Sequence, residues 1–306
     1  MDQLAALLDG PRARGAFLLR SVLDPPWSLR IQDEAPLAVT ALVRGEAWVM
    51  PDGGEPVRMR PGEVAVIRGP EPYTVADDPA TPPQIVIHPG QRCTTLDGES
   101  LYASMDLGVR TWGNDPDGDT VLLCGTYTME DAVSRRLLDT LPPLIVQPGG
   151  PVIELLGAEI VKDEPGQEAV LDRLLDLLLI AVLRTYFAAH HAPGWYRAMS
   201  DPVVGKAMRM LQNNPSHAWT VASLAAEVGV SRASLARRFT ELVGEPPMAF
   251  LTDWRLALAA DLLREPDATI GSVARKVGYG SPFALSAAFK RVRGVSPQEH
   301  RAGAVR

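Results

Sequence analysis

Two cysteines and a histidine are the residues best suited to metal or redox chemistry. If the fold brought His88, Cys93 and Cys124 together, two thiolates and an imidazole would form a donor set that suits zinc. The two thiols could instead close a disulfide under oxidising conditions. The alternative is that Cys124 is a small core residue and Cys93 a loop residue, since 31 residues between the cysteines match no metal-binding spacing. A redox or metal site is therefore one expectation, and no cofactor is assigned.

The distribution of charge along the chain indicates a second possible function, binding to a polyanion. Residues 200 to 306 hold 14 Lys and Arg against 9 Asp and Glu, whereas residues 1 to 199 hold 16 against 28. The whole chain has a net charge of −7, so phosphates would be attracted only to its basic third. A modest excess of this kind is also found on ordinary solvated surfaces, so the charge needs support from a motif.

The basic third carries one helical pattern twice, TVASLAAEVGVSRASLARRF from residue 220 and TIGSVARKVGYGSPFALSAAF from residue 269. Each copy begins with a threonine suited to cap a helix, continues to a glycine that can end it in left-handed geometry, and then has a serine suited to cap a second helix. The glycines are Gly229 and Gly278, and the serines are Ser231 and Ser281. The pattern predicts helix-turn-helix units at 220–242 and 269–293.

Helical phase separates a buried stripe from a free face on each second helix. The stripes are Leu235, Phe239 and Leu242 in the first unit and Leu285, Phe289 and Val292 in the second. The free faces predict DNA contacts from Arg232, Ala233, Ala236, Arg237 and Thr240, and from Phe283, Ala284, Ala287, Lys290 and Arg291.

The predicted contacts differ in chemistry. Arg237 could bond a guanine edge or a phosphate, whereas the alanines can offer only methyl contact, for instance to thymine. Arg232, Arg238, Lys290, Arg291 and Arg293 are better placed for phosphates. The intervening PMAFLTDWRLALAADLLREP predicts a connecting helix of about 17 residues and ~25 Å, which could hold both units on one DNA face.

Residues 203 to 302 resemble the DNA-binding domain of AraC/XylS-type transcription regulators. The resemblance is carried by SLAAEVGVSRASLARRF, LALAADLLRE and SVARKVGYGSPFALSAAFKRVRGVSPQEHR. It implies seven helices, with two recognition helices in adjacent major grooves and base-facing positions at Ala233, Ala236, Arg237, Phe283, Ala284 and Ala287. Ala287 departs from the family, which often has arginine there, and this predicts weaker direct reading by the second helix.

The acidic part begins with short apolar segments separated by turn residues: WSLRI, LAVTALV, EAWVM, VRM, EVAVI, YTVA and QIVI. This spacing predicts an antiparallel barrel or sandwich. DPPWSLRI, LVRGEAWV and RPGEVAVIRGPEPYTV resemble the cupin barrel that precedes this type of DNA-binding domain. Catalytic cupins hold a metal with several histidines, but this region offers only His88, and Tyr73 stands where related chains often have histidine. An effector pocket or a structural barrel is therefore favoured over a metalloenzyme.

EAVLDRLLDLLLIAVLRTYFAAHH, from residue 168, predicts the strongest helix of the chain. Its apolar residues cover more than one stripe, so both the barrel and a second copy of the helix could pack on it. This indicates a homodimer. Four charged residues within it, Asp172, Arg173, Asp176 and Arg184, argue against membrane insertion. His190 and His191 close the helix, where an imidazolium interacts favourably with the negative end of the helix dipole, and this role is favoured over metal binding.

The sequence thus predicts an α+β protein with a cupin-like antiparallel β-barrel, a central dimerisation helix and an all-α domain with two helix-turn-helix units. The predicted domains are a sensor at 1–192 (barrel about 14–150, helical layer about 151–191), a linker at 193–202 and a DNA-binding domain at 203–306. We expect a cytoplasmic, non-enzymatic regulator that binds double-stranded DNA, with an unknown small-molecule effector, RNA polymerase as a further partner and no membrane contact. The alternatives are a cupin metalloenzyme fused to a DNA-binding domain and an architectural DNA binder without sensing.

Overall fold

A computed structural model describes residues 17–127, 138–189 and 192–303. The described residues fall into two compact units. Residues 17–127 and 138–189 form the N-terminal unit, and residues 192–303 form the C-terminal unit. His190 and His191 lie outside the described residues.

Two six-stranded sheets make up most of the N-terminal unit. Their strands are β1 Phe17–Leu23, β2 Ser28–Ile31, β3 Leu37–Arg44, β4 Ala47–Pro51, β5 Val57–Met59, β6 Glu63–Arg68, β7 Tyr73–Ala76, β8 Ile85–His88, β9 Arg92–Thr95, β10 Thr111–Gly113, β11 Thr120–Tyr127 and β12 Leu144–Pro148. The sheet orders are β10-β1-β11-β3-β6-β12 and β5-β4-β7-β2-β8-β9. All seven apolar segments identified in the sequence form strands.

Strand direction differs from the strictly antiparallel expectation at two places. β1 pairs with β10 in parallel, and β2 pairs with β8 in parallel. The apolar pattern of a strand indicates which of its faces is buried. It does not predict which distant strand lies beside it, because that pairing depends on the whole sheet.

Both sheets contribute to one apolar core, in which Trp27, Leu42 and Leu122 are almost fully buried. Residues 37 to 42 of β3 are buried on both faces. Ala38 and Leu42 belong to the core, while helix α1, Val152–Ile160, contacts the strand. Burial on both sides explains why this strand is apolar along its length instead of alternating.

Helix α2, Gln167–Ala189, confirms the long helix predicted from residue 168. It packs against α1 and β12, and a stripe that includes Leu171, Leu175 and Leu178 is buried. A Cβ on Gly125 of β11 would lie 2.8 Å from Leu175 Cδ2, so the glycine allows this close contact between the sheet and α2. Among the helices of the described residues, none is both long and apolar enough to span a bilayer.

Eight helices form the described C-terminal unit. They are α3 Gly194–Met199, α4 Val204–Asn213, α5 Val221–Val228, α6 Arg232–Val243, α7 Pro247–Leu262, α8 Ile270–Val277, α9 Pro282–Arg293 and α10 Pro297–Gly303. The last seven match the number that the family resemblance implies for residues 203 to 302. The connecting helix is confirmed as α7, which contacts α4, α6, α8 and α9.

The segment predicted as a linker, 193–202, instead contains helix α3. Ala198 is fully buried, and Trp195 packs against the core that includes Phe239. Pro193 and Gly194, residue types that are common in linkers, stand at the start of α3, where a helix tolerates both.

Candidate nucleic-acid interface and ligand cavity

The first helix-turn-helix unit, α5 and α6, has the predicted caps. Thr220 Oγ1 accepts a hydrogen bond from Ser223 N at 3.0 Å, and the Ser223 side chain accepts from Thr220 N at 3.0 Å. This reciprocal pair satisfies free amides of the first turn of α5. Gly229 ends α5 with φ 76°, and Ser231 Oγ accepts from Ser234 N at the start of α6.

The outer face of α6 carries the predicted first set of DNA contacts. Arg232, Ala233, Arg237 and Thr240 are exposed, and Ala236 is half-buried. The Arg237 side chain is 74% exposed, and its Nη1 lies 3.7 Å from Glu241 Oε1. Thr240 Oγ1 donates to Ala236 O at 2.8 Å. On the inner face, Leu235 and Phe239 are fully buried as predicted.

Arg238, predicted from the sequence as a phosphate contact, has an intramolecular partner. Its Nε and Nη2 donate to Asp201 Oδ2 at 2.9 and 2.5 Å. Asp201 also accepts from Val203 N and Val204 N at the start of α4. Although burial opposes the shift, these backbone and side-chain hydrogen bonds lower the pKa of Asp201. Arg238 therefore joins α6 to the start of α4.

The second unit, α8 and α9, repeats the same construction with a different outer face. Thr269 and Ser272 form the reciprocal cap, Gly278 ends α8 with φ 87°, and Ser281 Oγ accepts from Ala284 N. The predicted DNA contacts Phe283, Ala284, Ala287, Lys290 and Arg291 are all exposed, Phe283 at 86%.

Val292 was predicted to be buried with Leu285 and Phe289, but it is 46% exposed. The residue lies in the last turn of α9, two positions before the helix-ending Gly294. Leu285 and Phe289 are fully buried, which confirms the rest of the stripe. The phase was correct, but the core does not extend as far as the last turn.

Two arginines that the sequence did not single out connect separate segments of the C-terminal unit. Arg255 of α7 donates to Pro215 O at 2.6 Å and to His217 O at 2.8 Å, and its guanidinium lies 5.9 Å from the Tyr279 ring centroid. Burial lowers the pKa of Arg255. Arg301 donates to Leu263 O at 3.1 Å and also contacts the Ala268 carbonyl. A lone arginine within the apolar pattern of α7 was the available signal, but its backbone acceptors are about 40 residues away.

The N-terminal unit contains a cavity lined from both sheets. Most of its wall is apolar and includes Leu29, Val75 and Leu122. Polar side chains converge at another part, where Gln91 Nε2 donates to Asp33 Oδ2 at 3.0 Å. An apolar cavity with a few convergent polar groups is the usual form of a small-molecule site.

His88, Cys93 and Cys124 do not form the predicted metal site. Within the described residues, no group of three or more His, Cys, Asp or Glu side chains could hold a metal ion. His88 Nε2 lies 2.9 Å from Thr94 Oγ1, and its Nδ1 lies 3.3 Å from Gln32 Nε2. Thr94 lies on the adjacent strand β9, whereas Gln32 follows β2, whose parallel pairing with β8 the sequence does not specify.

Cys93 and Cys124 are free thiols that both line the cavity. Burial raises the pKa of the Cys93 thiol, and it raises that of Cys124 to about 11 against opposing hydrogen bonds with Ser21 and Thr40. Since the thiolate is the form that oxidants attack, these environments do not favour a redox sensor.

Comparison with known proteins connects both units to one family. A Cupin family model matches residues 2–188, and a Helix-turn-helix domain model matches residues 224–303. An AraC-like transcription regulator of Streptomyces lividans is 32% identical, and the HTH-type transcriptional regulator AlkR of Acinetobacter baylyi is 34% identical. The alignments cover 98% of this chain, with 98% of the first relative and 99% of the second.

Among solved structures, the DNA-binding domain of AdpA in complex with a target DNA is 34% identical, with a TM-score of 0.33. That match covers 34% of this chain and 93% of the AdpA chain. The full-length relatives and the Cupin match, which spans more than half of the chain, determine the assignment. The chain belongs to the AraC family of DNA-binding transcription regulators and carries an N-terminal cupin domain.

Proposed function

We propose that this regulator binds specific double-stranded DNA sites as a homodimer through α6 and α9, and that a small molecule in the cupin cavity changes its DNA affinity. The observation that carries the DNA part is the duplicated unit. Two helices with the same serine cap bury one stripe and leave the opposite face exposed within a single compact unit. We propose that it acts in the cytoplasm and affects RNA polymerase at its promoters.

In the proposed complex, α6 supplies the directional hydrogen bonds. Arg237 donates to a guanine edge, and Arg232 donates to a phosphate. The exposed pair of Arg237 with Glu241 does not oppose this role, because such pairs contribute only about 0–1 kcal/mol. DNA can therefore replace Glu241 at little cost.

The proposed role of α9 is different. Phe283, Ala284 and Ala287 contact apolar base edges such as the thymine methyl group, while Lys290 and Arg291 near the helix end contact phosphates. This proposal rests on the exposure of all five side chains on one helix.

For the homodimer, the supporting observation is the outer face of α2. Val170, Leu174, Leu177 and Ala181 follow one another at alternating spacings of four and three residues, the pattern of paired helices. Val170 is 42% and Leu177 is 47% exposed. An apolar stripe of this period, left open on a helix whose other side is buried, suits a second copy of α2.

The dimer is tested by Leu177→Lys, with Glu168→Lys as a matched control, because both positions are exposed on α2 and only Leu177 lies in the stripe. We expect sedimentation to show that Leu177→Lys weakens dimerisation at least tenfold while Glu168→Lys does not. Equal dimerisation in both variants would refute this interface.

The competing enzymatic function would need a metal in the cupin unit. His88 is already within hydrogen-bond distance of Thr94 and Gln32, which favours a non-enzymatic cavity. Elemental analysis of the purified protein tests this directly: stoichiometric bound metal would support the metalloenzyme.

The full proposal is tested by selecting bound DNA from a random pool with the full-length protein, with and without small molecules from cell extract. A specific enriched motif whose recovery changes with the extract supports both parts. No enriched motif would refute specific binding, and a motif indifferent to extract would favour an architectural binder without sensing.

A further inference from the structure

The cupin cavity is chemically divided in a way that restricts its ligand. Apolar side chains form most of its wall, and the polar side chains that line it include Asp33, Tyr73, Gln91 and Thr126. No lysine, arginine or histidine is among the described residues that line it. A carboxylate or phosphate bound here would meet the Asp33 carboxylate and find no cation to compensate its desolvation.

Tyr73 is the polar group left available within this cavity. Its side chain is 7% exposed, and its hydroxyl makes no hydrogen bond to any other described residue. Because Tyr73 lines the cavity, a ligand or water bound there can satisfy this hydroxyl. Asp33 and Gln91, in contrast, already bond each other at 3.0 Å, and Asp33 also accepts from Ala35 N.

The protonation of Tyr73 supports its use as a donor. Burial, with smaller contributions from the charges of Asp33 and Cys124, raises the pKa of the phenol well above 10.0. The hydroxyl therefore keeps its proton across the physiological range and can both donate to and accept from a bound oxygen.

We infer that the cavity binds an uncharged, mainly apolar organic molecule that carries one hydroxyl or carbonyl oxygen, and that this oxygen bonds the Tyr73 hydroxyl. The inference rests on the proposed sensing function and names the class of its effector. A cation is disfavoured because the mostly apolar wall would desolvate it, and each oxygen of the Asp33 carboxylate already accepts one hydrogen bond.

Four compounds built on one ring test the inference: para-cresol, toluene, para-toluate and para-methylbenzylamine. They present a hydroxyl, no polar group, an anion and a cation. Binding to the full-length protein is measured by ligand-observed nuclear magnetic resonance. We expect para-cresol to bind about threefold to tenfold more tightly than toluene, the range of one neutral hydrogen bond, and the two charged compounds to bind more weakly than toluene.

Tyr73→Phe, which removes only the hydroxyl oxygen, should abolish the preference for para-cresol over toluene and leave toluene binding unchanged. Tyr127→Phe is the matched control, since the buried hydroxyl of Tyr127 bonds no described residue and Tyr127 is not among the residues that line the cavity. The control should keep the preference. Circular dichroism establishes that both variants are folded.

Failure of this inference is distinguishable from failure of the sensing proposal. The ligand class would be overturned, whatever the DNA affinity, by any of three results: a charged compound binds most tightly, no compound binds, or Tyr73→Phe keeps the preference for para-cresol. If para-cresol binds as expected but its saturation leaves DNA affinity unchanged, the ligand class is supported and sensing through this cavity is refuted.

Discussion

The two helix-turn-helix units have the same frame and different outer faces. Both use a threonine and serine cap, a left-handed glycine and a second serine cap, and both bury a leucine and a phenylalanine four residues apart. On the outer face, however, α6 presents Arg237, whereas α9 presents Phe283.

This difference separates what folding requires from what DNA recognition can vary. The caps and the buried stripe satisfy backbone amides and remove apolar surface from water, so both units must keep them. The exposed positions contribute little to stability and are free to diverge. We therefore expect the two units to differ more in the DNA that they select than in their folds.

The largest expected effect is a loss of stability when the turn glycines Gly229 and Gly278 are replaced, and it should differ between the two. Alanine at either position costs about 1–2 kcal/mol because both residues are left-handed. At Gly229 the new Cβ meets open space, whereas at Gly278 it would lie 2.7 Å from Ser216 Cα and 2.8 Å from the Pro215 carbonyl oxygen. We expect the unfolding free energy to fall by about 1–2 kcal/mol in Gly229→Ala and about 2–5 kcal/mol in Gly278→Ala.

Urea unfolding followed by circular dichroism measures both losses. Equal losses in the two variants would show that the contact between Gly278 and the segment at Ser216 does not restrict that position.

Recognition by α6 should depend on Arg237. Removal of a side chain that bonds a base edge should cost about 1–3 kcal/mol and relax preference at one base pair, so Arg237→Ala should give this result in titrations of DNA variants. Arg232→Ala is the matched control, because a phosphate contact weakens binding to all sequences equally and reduces the salt dependence. Uniform weakening by Arg237→Ala would place Arg237 on a phosphate as well.

Recognition by α9 should depend on a thymine methyl group instead. Replacement of individual thymines by uracil in the selected site removes only the methyl group, and we expect a loss of about 0.5–1 kcal/mol at one position in the α9 half. In Phe283→Ser, this loss should disappear. If uracil has no effect at any position, Phe283 does not read a methyl group.

The smallest expected effect concerns the ion pair of Arg238 with Asp201. Because the folded-state pKa of Asp201 is lowered, its charge stabilises the fold above its ordinary pKa of 3.8, and this contribution is lost as pH falls through the folded value. Asp201→Asn keeps a capping side chain but removes the charge.

We expect Asp201→Asn to lose about 1 kcal/mol or less at neutral pH, and the difference from the unmodified protein to vanish in the acid range. Urea titrations across this range measure it. A constant difference at every pH would mean that the charge of Asp201 is not responsible.

Local signals made the C-terminal unit largely predictable from sequence. Thr220, Gly229 and Ser231 act through residues within one or two turns, so their spacing alone defines the caps. The ion pair of Arg238 with Asp201 was not predicted because the two residues are 37 positions apart, and Val292 was misjudged because helical phase does not tell where a core ends.

The N-terminal unit was less predictable because its site depends on strand pairing. The individual strands follow from local apolar patterns, but the parallel pairs β1 with β10 and β2 with β8 do not. The cavity depends on that arrangement, and so does the contact of His88 with Gln32, whereas its other partner, Thr94, lies on the adjacent strand β9. Tyr73 was noticed only as a missing histidine.

Insertion of about five base pairs between the two halves of the selected DNA site is the most direct test of binding by both units. The insertion rotates one half by about half a helical turn, and α7, a continuous 16-residue helix packed against α6 and α9, should prevent the units from following it. We predict that affinity will fall to that of DNA with a single half. Unchanged affinity would contradict simultaneous recognition by α6 and α9.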